Sequence, residues 1–219
     1  VVDKAGILLG RITFDDVLDV LEAEQTEDIL RFAGISEEEE IRGSWSDTVK
    51  TRLPWLALNL ITASIAASVV WFYRDTVDSI IVLAALAPII AALGGNAGTQ
   101  ALAVTVRRIS LAGDGEIGQA PYGAVGKELL VGIVNGMVLG LAIAGLSLLV
   151  PGGNPMLGLV VLLAMWGNLV VAGFAGSFVP TLLNRFGFDP AVASSVFVHA
   201  FTDLIGFFLL LGLATAVLL

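Results

Sequence analysis

Five long apolar runs divide the chain, at about Leu53 to Tyr73, Ser79 to Val106, Leu129 to Val150, Leu157 to Leu183 and Ala191 to Leu219. Each reaches roughly the 20 residues that an α-helix needs to cross the hydrocarbon of a bilayer. The pattern predicts an all-α polytopic membrane protein with five transmembrane helices. In the first run Trp55 lies near one end and Trp71 and Tyr73 near the other, where an aromatic belt would sit. The second run contains Pro88 and then Gly94-Gly95-Asn96-Ala97-Gly98-Thr99-Gln100, which predicts a backbone that is broken there or closely approached by another. A polar linker from Arg107 to Gly126, with the turn-rich Gly113-Asp114-Gly115, separates it from the third run. That third run carries Gly132, Gly136 and Gly140 at four-residue spacing, a pattern that permits close helix packing.

Ahead of the first run the pattern is different. Val1-Val2 and Ile7 to Ile12 read as the arms of a hairpin joined by the turn Asp3-Lys4-Ala5-Gly6. A helix is expected from Thr13, since Thr13 and Asp16 form an acidic variant of the capping box and Phe14, Val17, Leu18 and Leu21 supply a helical stripe. From Glu22 to Arg52 the chain is polar, with Gly34 and the run Glu37 to Glu40 separating two short helical patterns. That acidic run reads first as a solvated helix start, its charges favoured by the macrodipole, and second as a regulatory ion site. Trp45, Val49 and Leu53, spaced four apart, give an amphipathic approach to the membrane. So small an N-terminal piece cannot bury a core alone. It reads as the tail of a larger cytosolic domain, a short α/β remnant. The expected division is residues 1–24 for this remnant, 25–52 for a connecting helix region and 53–219 for the five-helix transmembrane domain.

Composition agrees with the apolar pattern: 57% of residues are hydrophobic, 14% are charged and mean hydropathy is +0.92, outside the range of ordinary soluble domains. Cysteine is absent, which excludes disulfides and thiolate metal sites. Residues 1–52 hold 13 Asp or Glu against 6 Lys or Arg, and so carry most of the whole-chain charge of −9. Nucleic acid, which basic clusters would serve, is not an expected partner. A divalent cation suits this acidic face better. With a cytosolic N-terminus, five crossings place ten basic residues inside and only Arg74 outside, as the positive-inside rule prefers. The C-terminus then faces outward from the cell inner membrane, with the lipid bilayer as the chain's immediate partner.

The charge that changes the picture most is Asp203, near the middle of the last run. A carboxylate at the centre of a bilayer costs several kcal/mol unless it is paired, and no Lys or Arg lies within any apolar run to pair it. A mobile cation would supply the partner. Ser195, His199 and Asp203 recur every four residues and share one helical face. A buried polar ladder between helices is the competing reading. On the second run Asn96 and Gln100 share a face at the glycine pair, and a half-broken helix there would expose backbone carbonyls to a cation. Asn168 on the fourth run is a further candidate ligand, whereas Asn135 among the glycines of the third reads as structural. Mg2+ suits one carboxylate with several neutral oxygens, because it prefers hard ligands and sheds water reluctantly. Zinc or copper would call for more imidazole or thiolate than a chain with one His and no Cys provides.

The stretches Pro88 to Gln100 (PIIAALGGNAGTQ), Gly167 to Pro180 (GNLVVAGFAGSFVP), Asp189-Pro190-Ala191 and Thr202 to Phe207 together resemble the MgtE magnesium transporter family, related to eukaryotic solute carrier family 41. Residues 1 to about 24 resemble the end of the cystathionine-β-synthase type regulatory domain of that family, and Glu27 to Lys50 its connecting plug helix. The resemblance implies a homodimeric Mg2+ channel or transporter, five transmembrane helices per subunit and a cytosolic N-terminus. It implies that Asp203 binds hydrated Mg2+ in the pore, and that Mg2+ is also a regulatory ion, closing the pore from acidic cytosolic sites. His199 departs from the family pattern, where a small or hydroxyl-bearing residue is expected. An imidazole there would favour Mn2+ or another softer divalent ion, or a carrier coupled to protons or Na+. An intramembrane hydrolase using Ser177 and His199 is not expected, since Gly176-Ser177-Phe178 lacks a serine-elbow context, and no protein substrate is implied.

Overall fold

The computed structural model describes residues 1–33, 35, 44–116, 120–149, 154–190 and 195–219. Seven helices lie among them: α1 (Phe14–Phe32), α2 (Trp45–Phe72), α3 (Arg74–Ser79), α4 (Val82–Glu116), α5 (Ala120–Ser147), α6 (Pro155–Arg185) and α7 (Ser195–Leu218). Helices α2, α4, α5, α6 and α7 are long and apolar enough to cross a membrane, as the five apolar runs predict.

The N-terminal hairpin is reduced to one antiparallel bridge, between Val2 and Leu8. Its turn is well formed: Asp3 Oδ1 accepts the amides of Ala5 and Ile7, each at 2.9 Å, and Gly6 takes φ +79°, which glycine adopts freely. The arms have no third strand to pair with among the described residues, and an isolated two-stranded ribbon is marginal in water. The cap of α1 is as expected. Thr13 donates its amide and its hydroxyl to Asp16 Oδ2, both at 2.7 Å, and these two bonds hold the Asp16 carboxyl below the usual carboxylate range. α1 then continues unbroken to Phe32, across the polar change at Glu22 and across the boundary expected at residues 24–25. The run Glu37 to Glu40 lies outside the described residues.

Trp45 opens α2, so the amphipathic approach and the first apolar run form one 28-residue helix. Ala66 is its one buried residue, which leaves α2 at the edge of the bundle, where it packs along α7. α6 is the axis. Asn154 caps it by accepting the Leu157 amide at 2.8 Å, with Pro155 in the first turn, where its missing amide hydrogen costs nothing. α4, α5 and α7 all pack on α6. The core between them is built from Leu83, Ile90, Val161, Met165, Leu169, Leu210 and Leu211, each at 0–1% exposure.

The glycines of α5 do what their spacing suggests. A Cβ at Gly132 would fall 2.6 Å from the Leu169 carbonyl oxygen, one at Gly136 3.0 Å from Trp166 Cα, and one at Gly140 3.0 Å from the Leu162 carbonyl oxygen. The α5 and α6 backbones therefore touch along three turns. At its glycine pair α4 takes the second of the two expected alternatives, close approach by neighbouring helices, and at its end it departs from expectation. It is continuous through Pro88 and Gly94 to Gln100, so no half-helix end is exposed there, and it runs on through Gly113-Asp114-Gly115 to Glu116 where a linker was expected. Propagating a helix adds one hydrogen bond per residue, and this outweighs the roughly 1 kcal/mol that each interior glycine costs.

Candidate functional site

α7 carries Ser195, His199 and Asp203 one turn apart, and all three line one cleft of about 630 Å³. The other wall is α2, through Arg52, Trp55 and Asn59, and Ala33 and Ile35 also line the cleft. Asp203 is half-buried. Among the described residues its carboxylate takes neither a hydrogen bond nor an ion pair. His199 is also half-buried, and its Nδ1 lies 2.8 Å from the Ser195 carbonyl oxygen. That oxygen can only accept, so Nδ1 donates, and in the neutral ring the lone pair rests on Nε2. The next helical bond is reinforced as well: Thr202, fully buried, donates its hydroxyl to the carbonyls of Val198 and His199 at 3.0 Å each.

The glycine pair of α4 earns its place through neighbours from two other helices. Gly95 faces the His199 ring, and a Cβ there would come 2.7 Å from Nε2. Gly94 faces Asn168 of α6, and Gly206 of α7 faces the same amide, where a Cβ would come 2.8 Å from Nδ2. Asn168 has no exposure and donates from Nδ2 to the Ile90 carbonyl at 3.0 Å. Its Oδ1 is buried with no partner among the described residues. The amide thus sits where α4, α6 and α7 converge, behind the cleft and not within its lining.

The candidate ligands accordingly fall into three places. Ser195, His199 and Asp203 are brought together, Asn168 is sealed in the helix junction, and Asn96 and Gln100 are exposed on another face of α4. Sequence reasoning missed Arg52, Trp55 and Asn59 as the facing wall. Their signal was available, since a mid-run amide at Asn59 recurs at helical spacing with Trp55 and Arg52. Among the described residues no group of three or more His, Cys, Asp and Glu side chains converges. One chain therefore offers a cation one carboxylate, one imidazole and neutral oxygens, and leaves room for water to complete the shell. Ser177 is fully buried and donates to the Gly173 carbonyl at 2.7 Å, a position without substrate access.

Comparison with known proteins points the same way. The family model MgtE, described as a divalent cation transporter, matches residues 87–213, which take in the glycine pair, Asn168, His199 and Asp203. The magnesium transporter MgtE of Enterococcus faecalis is 36% identical over 208 residues, covering 93% of this chain and 44% of that protein. The protein of the same name from Bacillus subtilis is 30% identical over 216 residues, covering 99% and 47%. That of Thermus thermophilus is 29% identical over 221 residues, covering 100% and 48%. The chain spans about half the length of these relatives. Because the match extends over more than half of the chain, the chain belongs to the MgtE family.

Proposed function

We propose that this chain forms the membrane part of a Mg2+ transport pathway in which the ion passes, partly hydrated, beside Asp203. The observation that carries the reading is a half-buried carboxylate near mid-span, without a bonding partner among the described residues, lining a cleft. A carboxylate so placed is costly unless a cation visits it. Family membership, and the magnesium transporter names of the relatives, favour a divalent ion. Mg2+ holds its inner waters tightly, so contact through water is the economical mode, and contact spread over several weak sites lets the ion leave again.

The pathway in this reading lies in a homodimer. One chain supplies one carboxylate, and Asn96 and Gln100 are exposed polar groups in the middle of an apolar helix, where a second copy and a water-filled path would give them partners. The N-terminus faces the cytosol and the C-terminus the outside of the inner membrane, which follows the distribution of Lys and Arg. Residues 1–24 end a cytosolic regulatory domain and residues 25–52 connect it to the pore. Mg2+ bound among the acidic residues of this part screens their repulsion and favours the closed state, so that Mg2+ acts as regulator as well as cargo.

The test is Mg2+ entry into proteoliposomes holding the intact protein, followed with a trapped fluorescent indicator. Asp203→Asn keeps the shape of the side chain and removes its charge, and flux is expected to fall at least about tenfold. Flux and selectivity equal to the wild type would end the assignment.

A further inference from the structure

His199 is the chain's one imidazole, and two contacts fix it. Its Nδ1–H donates to the Ser195 carbonyl at 2.8 Å, which sets both the tautomer and the orientation of the ring. Metal-ligating imidazoles are held in the same way, with the far nitrogen bonded to an acceptor and the near nitrogen carrying the lone pair. The ring lies against Gly95 of α4, in space that any side chain would take, since a Cβ there would come 2.7 Å from Nε2 and 3.2 Å from Cγ. Along α7 the next turn brings Asp203 to the same cleft, and across it stands the amide of Asn59 on α2. An imidazole, a carboxylate and an amide therefore line one cleft.

We propose that His199 turns this cleft into a mixed nitrogen and oxygen site that holds borderline divalent cations more tightly than Mg2+, so that Co2+ and Ni2+ compete with Mg2+ and slow its passage. The proposal rests on the transport reading above for its effect on flux, but not for the binding itself. A hard ion such as Mg2+ gains little from an imidazole, whereas the affinity of a nitrogen and oxygen site rises from Mn2+ through Co2+ to Ni2+. Tighter binding also delays departure, which converts a competitor into a blocker. The order of potency is thus a signature of the donor set: Ni2+ first, Co2+ next, Mn2+ weakest. A site of carboxylate and waters alone would separate these ions far less.

Two measurements on the intact protein test it, each with His199→Gln and His199→Ala beside the wild type. The first is the Ni2+ concentration that halves Mg2+ flux in proteoliposomes, scaled to each protein's own flux. It is expected to rise at least about tenfold in both variants, the loss that follows when a metal site is weakened. Equal Ni2+ sensitivity in all three proteins overturns the proposal. The second is the visible absorption of Co2+ titrated into detergent-solubilised protein. A nitrogen-ligated spectrum in the wild type that is lost in both variants supports the site even where Mg2+ flux is absent, an outcome that would count against the transport reading alone. Identical spectra in wild type and variants overturn the site itself.

Discussion

Asp203 draws its significance from what surrounds it. Ser195 and His199 precede it by two turns and one, and the α2 wall faces it with Arg52, Trp55 and Asn59. The stripe on α7 was legible from its spacing of four, because a single helix needs no tertiary information to put such residues on one face. The destination of Asn168 was not legible. It reads as a ligand from its polarity and its place in an apolar run, yet it is sealed by Gly94 and Gly206, 74 and 38 positions away in sequence, which no local pattern relates to it. That junction gives a prediction: Gly206→Ala would bring a methyl 2.8 Å from Asn168 Nδ2. Stability is expected to fall by about 1–3 kcal/mol through overpacking, read as a lower midpoint of thermal unfolding in detergent. An unchanged midpoint would show that the junction is looser than its contacts imply.

At the scale of helices, the glycines separate into those that meet a backbone and those that meet nothing. Gly136 of α5 lies against Trp166 of α6, whereas Gly145 on the same helix has open space where a Cβ would stand. Gly136→Ala is expected to destabilise by about 1–3 kcal/mol, and Gly145→Ala to be neutral or stabilising by up to about 1 kcal/mol, since alanine is the better helix former. Matched thermal melts of the two variants check this, and the reverse order would contradict the packing described. The regular spacing of Gly132, Gly136 and Gly140 made this seam legible in the sequence. Gly94 and Gly95 were harder, because a glycine pair serves a broken helix and a close approach equally well. The choice was made by Asn168 and His199, which arrive from α6 and α7 and leave α4 continuous.

The whole molecule shows five apolar helices in the order the hydropathy pattern predicts, with α6 at the centre and α2 at the edge. Runs of that length are specified by composition alone, which is why their existence was plain and their packing partners were not. The cleft depends on α2 lying along α7, a long-range pairing that neither helix announces, and so its α2 wall went unseen. The position of Asn96 and Gln100, exposed on α4, bears on the assembly. Since the chain has no native cysteine, Asn96→Cys introduces a single thiol whose chemistry is unambiguous. In the proposed homodimer, a short bifunctional thiol reagent applied to the reconstituted protein is expected to yield a linked dimer on a denaturing gel. Monomer alone, at concentrations where the protein still conducts, would contradict a pore shared by two α4 helices.

Transport along this path requires that the cleft beside Asp203 receive the ion. High-resolution density for the intact protein in saturating Mg2+ tests this directly. An octahedral ion is expected on the cleft side of Asp203, its inner ligands at about 2.0–2.1 Å and mostly water, with the carboxylate accepting hydrogen bonds from that shell. A map in which the cleft is empty, or in which Mg2+ is ordered elsewhere along the pathway while Asp203 has no contact with it, would contradict the central claim.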